Sequence, residues 1–495
     1  MRAVLAVLGR SLLALVLLGT AGALVAAGTE LPSPAPRAVP GRAVAVPPAP
    51  TVLVCPGPLR LPTELEPGDD AAYDPQFDTA PGESVGQVAA ITARPGDGPA
   101  ADAALAALGS EEVTAQVVAA GETGAVRVAQ PAAPLVARAD AVEGVPAWLA
   151  ATLHVRTEDG DLRGLVGAAC QRPAAQSWLV GGSTELGSSA RLVLQNPGLT
   201  PAAVTVRMWG ASGPVELTGG EYLVPPGSER IVLLEGLAAE QARVVVQTTS
   251  VGGLVTAYLQ DSRLVGLVPA GVDDVVAGPP PATRQVVAGI ALTGGEDADA
   301  AVLRVVAPGD EGGAVSITLL GPEGPVALPG GSTTVAPGTV LDVPLSGIAA
   351  GDYTAVVNAD VPVVAGAMVS RGAGRPEDVA DRAWVPATAA GAGPLALPEG
   401  VTGRLVLSVA PDGETVGRST VVVESSDGTS KERVVGEGAT LSLPLDDLGD
   451  PEGLVVRTGD RRVAWAVVLE DGDMVSVLVP VPPLAAQDRV AVEVR

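Results

Sequence analysis

Histidine is nearly missing from this sequence: His154 is the single copy in 495 residues. It is the side chain most often used as a general acid or base near neutral pH. Ser-His-Asp and Cys-His catalysis would both have to run through His154, which sits in an apolar-alternating run where a structural role is expected. Cysteine is almost as scarce, with Cys55 and Cys170 alone. One histidine and two cysteines leave the common zinc, haem and iron–sulfur sites short of ligands, so no cofactor is expected. There is no phosphate-binding P-loop or S-x-x-K run. Aromatic residues make up only 2%, with one Phe in the chain. Positive charge is short too: 30 Lys and Arg stand against 56 Asp and Glu, a formal charge of −26. Such a surface repels nucleic acid and anionic headgroups, which excludes nucleic acid as an expected partner.

What is present is Ala, Val and Leu punctuated by 62 Gly and 45 Pro. Pro and Gly at that density stop helices early, and Val-rich runs between them make short strands. The expected class is all-β. The length suits about three or four domains, each able to bury its own core.

The N-terminus carries an apolar run, Ser11 to Ala27, with Arg2 and Arg10 before it. At about 17 residues the run suits either a retained signal-anchor or a signal peptide cleaved near Ala27. Basic residues before it place the following chain outside the membrane. Both readings predict export, and the first attaches the protein to the membrane through its N-terminal segment. An even cysteine count in an exported chain predicts one disulfide, Cys55 to Cys170, with two buried thiols as the alternative. Closing that loop contributes roughly 4 to 5 kcal/mol on the chain-entropy argument.

Residues 1–28 are thus the signal or anchor segment, and residues 29–50 a Pro/Ala linker of extended, polyproline-like form. Beyond it the chain repeats. Three stretches pass through a Gly turn into a Val/Leu run, from Val224, Val335 and Val435, with Gly227, Gly338 and Gly438 as turn residues. Each is followed by a pair of alternating runs that reads as a hairpin, and preceded by a matching strand from Ala190, Ala301 or Gly403. A spacing of about 100 to 110 residues fits tandem immunoglobulin-like β-sandwiches. Predicted units are a divergent copy over 51–175, then 176–275, 284–372 and 383–485. A β-propeller is the alternative, though its blades repeat faster. The one soluble helix is predicted from Ala100 to Leu108, stopped by Gly109.

For chemistry, paired carboxylates remain, which hydrolyse glycosides when set across a sugar cleft. Trp178 and Trp384 read as core anchors at equivalent positions opening two units, and Trp465 as facing inward. Trp209, before a turn, is the candidate for exposed binding. Asp69, Asp70, Asp74 and Asp78 in an acidic insertion are calcium candidates on oxygen-ligand grounds, though without EF-hand spacing, and a solvated loop explains them as well.

Cys55-Pro56-Gly57-Pro58 after a Pro-rich linker, Cys170 shortly before Trp178-Leu179-Val180-Gly181-Gly182, and the run Leu192 to Pro197 give a resemblance. The chain resembles an uncharacterised actinobacterial family of exported proteins, domain-of-unknown-function family 5719. The resemblance implies membrane attachment and an envelope setting, with encoding near glycosyltransferases that hints at surface-polymer assembly. It brings no catalytic residues. The expected function is a non-catalytic extracytoplasmic scaffold or binding module whose partner is another envelope protein or a cell-wall polymer. The alternatives are a carboxylate-dependent glycan-acting enzyme and a calcium-stiffened rod.

Overall fold

The computed structural model describes residues 2–29, 42–44, 48–61, 82–96, 98–295, 297, 300–372, 379–389, 391–413, 417–449, 451–484 and 490–492. Asp69, Asp70, Asp74 and Asp78 lie outside the described residues, as does most of the 29–50 stretch. Among the described residues the chain is all-β apart from the N-terminal helix Arg2–Thr29 and a 3-10 turn at Leu445–Leu448. Neither a propeller nor a closed barrel is formed among the described residues, which sets the propeller alternative aside.

One body, residues 1–47 with 487–495, holds the helix and an antiparallel strand pair, Arg42–Val44 with Val490–Val492. Among the described residues no helix is long and apolar enough to cross a membrane. The segment read as a linker therefore contributes a strand, and its partner comes from the far end of the sequence.

Residues 48–486 form the other body. Alternation with period two builds it, because successive strand side chains point to opposite faces. In Ala202–Gly210, Ala202, Val204, Val206 and Met208 are buried while Ala203 and Arg207 are exposed. Strands of this kind assemble into four modules, each of two facing sheets. In the first module one sheet runs Thr51–Val54, Leu135–Ala139, Ala103–Ala107, Val113–Val117. The other runs Thr123–Ala129, Ser84–Ala93, Trp148–Thr157, Gly164–Ala169. Numbered along the chain, the orders are first-sixth-third-fourth and fifth-second-seventh-eighth. The same two orders recur over Gln176–Val276, Ala282–Pro386 and Gly393–Leu478, with the fourth strand in two pieces in the second module (Gly213–Val215, Glu221–Val224) and in the third (Gly324–Val326, Ser332–Val335). In the third module one strand, Gly351–Arg371, supplies both sixth and seventh by bending between sheets. Val, Leu and Ala fill the space between facing sheets in every module.

The modules are not beads on a string. Their eighth strands, Gly164–Ala169, Val268–Val276, Asp381–Pro386 and Met474–Leu478, pack on one another in a cycle, first on second, second on third, third on fourth and fourth on first. Three of these strands are buried at every residue. Their apolar character is continuous rather than alternating because both faces are covered.

Two local expectations are overturned. Ala103–Ala107 is a strand, not the predicted helix from Ala100 to Leu108. Ala103 and Leu105 point into the core, and the segment pairs with Leu135–Ala139 on one side and Val113–Val117 on the other. Sheet pairing outweighs the few tenths of a kcal/mol per residue by which Ala favours helix. Trp178 and Trp384 are both buried but are not equivalent: Trp178 lies on the first strand of the second module and Trp384 on the last strand of the third.

Candidate functional site

Four of the charged residues that the fold encloses, Asp273, Asp274, Asp381 and Arg382, lie on the eighth strands, where these meet. Each eighth strand is a sheet edge, so its outer backbone N–H groups need acceptors. Asp381, fully buried in the third module, supplies them for two neighbours. Its Oδ2 accepts the amides of Leu165 in the first module at 3.0 Å and of Val475 in the fourth at 2.9 Å. Asp273 of the second module caps the third in the same way, accepting Trp384 N at 2.6 Å, while Asp261 accepts Trp384 Nε1 at 2.7 Å. One carboxylate thus joins three modules, where a ladder of strands would join two.

Burial raises the pKa of these acids. Asp381 is pushed up to about 7 by desolvation, against the backbone amides that favour its charged form. Asp274, buried with both oxygens unpartnered among the described residues, is pushed up to about 8 by desolvation. Asp273 is raised as well, by burial and then by the nearby Asp274 and Asp381.

The joints between modules repeat one design. In the second, third and fourth modules the turn before the fifth strand presses on the preceding module through a glycine with left-handed φ. Gly227 abuts Gly109, Gly338 abuts Pro214, and Gly438 abuts Pro325. From each second strand a long polar side chain reaches back across the joint. Arg191 donates to Arg60 O at 2.5 Å, Arg304 to Gly182 O at 2.8 Å, and Arg404 forks onto Asp352 at 2.6 and 2.7 Å. Gln87 closes the cycle, donating to Glu399 O at 3.0 Å and accepting Glu399 N at 3.1 Å. Arg156 pairs with Asp471, and Arg163 with Asp473 at 2.6 Å, across the same closing joint.

The residues singled out in the sequence fall into place around this frame. Cys55 and Cys170 are disulfide-bonded and buried, tying the start of the first module to its last strand. Trp209 is not an exposed binding residue. It is 6% exposed and stacks on Trp178 with ring centroids 5.2 Å apart, inside an apolar joint formed with Val306, Val340 and Val364. The turn after it is local, but the third module covers it. Trp465 faces inward, with Nε1 donating to Gly391 O at 3.0 Å. His154 is buried with neither ring nitrogen hydrogen-bonded among the described residues. Burial, with Arg156 adding to it against the pull of Asp471, pushes the His154 pKa down to about 4.

The acids at the hub do not face an open cleft: Asp261, Asp273, Asp274 and Asp381 are each 2% exposed or less. Asp102 and Asp140 share a surface hollow of about 420 Å³ with Arg138, and no aromatic side chain lines it. No group of three or more His, Cys, Asp or Glu suited to a metal ion occurs among the described residues. A second hollow of about 300 Å³ lies where the segments leaving the four eighth strands converge, lined by Arg172, Pro279, Pro386 and Pro482 among others. Arg172 donates there to Pro482 O at 2.9 Å. The hub aspartates escaped the sequence reading. Their signal was a charged pair, Asp273-Asp274, inside the apolar run of an edge strand.

No curated protein matches the chain. Among solved structures, one described as a tetra-tandem repeat in the extending region of a large adhesion protein aligns at 11% identity over 83% of this chain and 94% of its own, with a TM-score of 0.07. That score carries no argument about fold or function. A family profile matches residues 124–446, from the fifth strand of the first module into the last module, and by this match the chain belongs to the family of unknown function DUF5719.

Proposed function

We propose that the chain is a non-catalytic, exported scaffold that holds a fixed outer surface towards another envelope protein or a cell-wall polymer. The observation that carries this reading is where the enclosed polar chemistry goes. Asp381, Asp273, Arg191, Arg304 and Arg404 all bond across module joints, so they fix four modules in one arrangement. A rigid frame with variable loops on its rim is how many binding proteins are built. Each module further reads as an immunoglobulin-like sandwich. The second-with-fifth and third-with-sixth strand pairings support this, with the strand that usually closes such a fold placed first in the chain. Export is supported by Arg2 and Arg10 ahead of the apolar run from Ser11.

The test is crosslinking in intact cells followed by pull-down of the tagged full chain, with analysis of bound proteins and bound glycan. A recurrent envelope protein or wall polymer is the expected result. Recovery from the cytoplasmic fraction with neither would overturn the proposal.

A further inference from the structure

A chain with a formal charge of −26 keeps four arginines around one cleft. The cleft, of about 290 Å³, opens between the second and third modules and includes Arg243, Arg263, Arg304 and Arg382 in its lining, with Trp384 beside them. That volume is at the lower end for small-molecule sites. Two of the arginines are fixed. Arg304 is gripped by Asp342 at 2.8 and 2.9 Å, donates to Gly182 O and Val244 O, and lies 4.8 Å from the centre of the Trp384 ring. Arg382 donates Nε to Ala270 O at 3.0 Å, and its Nη1 stands 3.6 Å from Asp261.

Arg382 is the informative residue. It is 7% exposed, yet among the described residues no hydrogen bond uses its Nη hydrogens. Most of this guanidinium is out of water while its unused Nη donors are not sealed in, which leaves them available to an acceptor in the cleft. Burial lowers its pKa below the usual arginine range, and Arg263 and Arg304 add to this against the opposing pull of Asp261 and Asp381. Asp261 offsets part of this, but the carboxylates that line the cleft do not take up the free Nη donors. Asp342 is engaged by Arg304, with Arg243 at 3.4 Å, and Glu185 is exposed at the rim. Arginine forks are matched to phosphate oxygens and bind them bidentately.

We propose that this cleft binds a phosphate carried on a small organic group of sugar size. Arg382 and Arg304 form the fixed wall, and Arg243 and Arg263 close on the ligand from the mouth. The net negative charge of the rest of the surface turns away long polyanions, so the site selects an isolated phosphate. The inference goes beyond the scaffold reading and holds for the purified protein whatever compartment it occupies.

The test is calorimetric titration of the full chain in mild detergent with inorganic phosphate and a hexose 1-phosphate, against sodium chloride at equal ionic strength. Saturable binding of both phosphates is expected, weakened at least tenfold in R382Q and about fivefold in R263E, and unchanged in R138E. Arg263 is exposed, so R263E keeps the test open if R382Q folds poorly. A decyl phosphodiester of the same hexose is titrated alongside. Binding of both compounds assigns a phosphate that a lipid can carry, and binding of the free sugar phosphate alone assigns a soluble source. Heat that chloride reproduces, or affinity unmoved in R263E and R382Q together, overturns the proposal.

Discussion

Alanine at the four turn glycines separates backbone strain from joint contact, because the first is common to all four sites and the second is not. Gly121, Gly227, Gly338 and Gly438 each precede the fifth strand of a module, with φ of 84°, 62°, 66° and 75°. A left-handed conformation costs a non-glycine residue about 1 to 2 kcal/mol. A Cβ at Gly227 would stand 2.7 Å from Gly109 Cα, and one at Gly338 would stand 2.8 Å from Pro214 Cδ. At Gly438 the nearest atom is Pro325 Cγ at 3.3 Å, and at Gly121 nothing lies within 4 Å. Backbone and proline ring cannot swing aside as a flexible side chain can, so the first two sites add an overpacking cost of about 1 to 3 kcal/mol. The expected order of destabilisation is G227A and G338A at about 3 to 4 kcal/mol, then G438A, then G121A at about 1 to 2 kcal/mol. Urea denaturation of the four variants measures it through the midpoint at constant slope. If G121A cost as much as G227A, the contacts at the joints would contribute nothing and the argument for a locked cycle would fail.

Three further outcomes follow from the hub and the first module. Asp381 has a folded pKa of about 7 against the ordinary 3.8, so its stabilisation is fully present below the lower value and is lost as pH rises through the upper, about 4 kcal/mol in all. D381N removes that titration. The stability of D381N relative to wild type should rise by about 2 to 3 kcal/mol between pH 5 and 8.5, and a flat difference would refute it. His154 runs the other way: with its pKa held at about 4 against 6.5, stability is lost as pH falls across that window, by about 3 kcal/mol. His154→Leu should abolish that acid loss in thermal melts at pH 4 to 7, and an unchanged loss would place the sensitivity elsewhere. Reducing the Cys55–Cys170 bond, or C55S, should cost roughly 4 to 5 kcal/mol. Since the modules share a hub, calorimetry should show the main transition moving as a whole. A low shoulder from the first module alone, with the rest unmoved, would return the chain to independent domains.

Much of the fold was legible because it is written locally. The glycine turns at Gly227, Gly338 and Gly438 and the hairpins after them depend on turn chemistry and period-two alternation within a few residues. Ala103–Ala107 was misread for the same reason, since its alanines favour helix locally and only the strands on either side decide otherwise. The cyclic packing was not legible. Asp381 meets Leu165 and Val475, residues far away in sequence, and nothing near it signals that contact. Trp209 shows the same limit, because a turn residue looks exposed until a neighbouring module is laid over it. Even so, acids set inside a Val-rich run, as in Val272-Asp273-Asp274-Val275, are a visible mark, because acids are seldom buried without a partner.

The closing joint also imposes an order on biosynthesis. Arg163 and Arg172 of the first module find Asp473 and Pro482 only across 310 residues of sequence. At synthesis rates of roughly 5 to 20 residues per second, the first module waits roughly 15 to 60 s with that face bare. During that interval its apolar strand Trp148–Thr157, later covered by the fourth module, is open to the wrong neighbour. A nascent chain of this design would therefore gain most from a chaperone early, while its first quarter is finished and its last is not yet made.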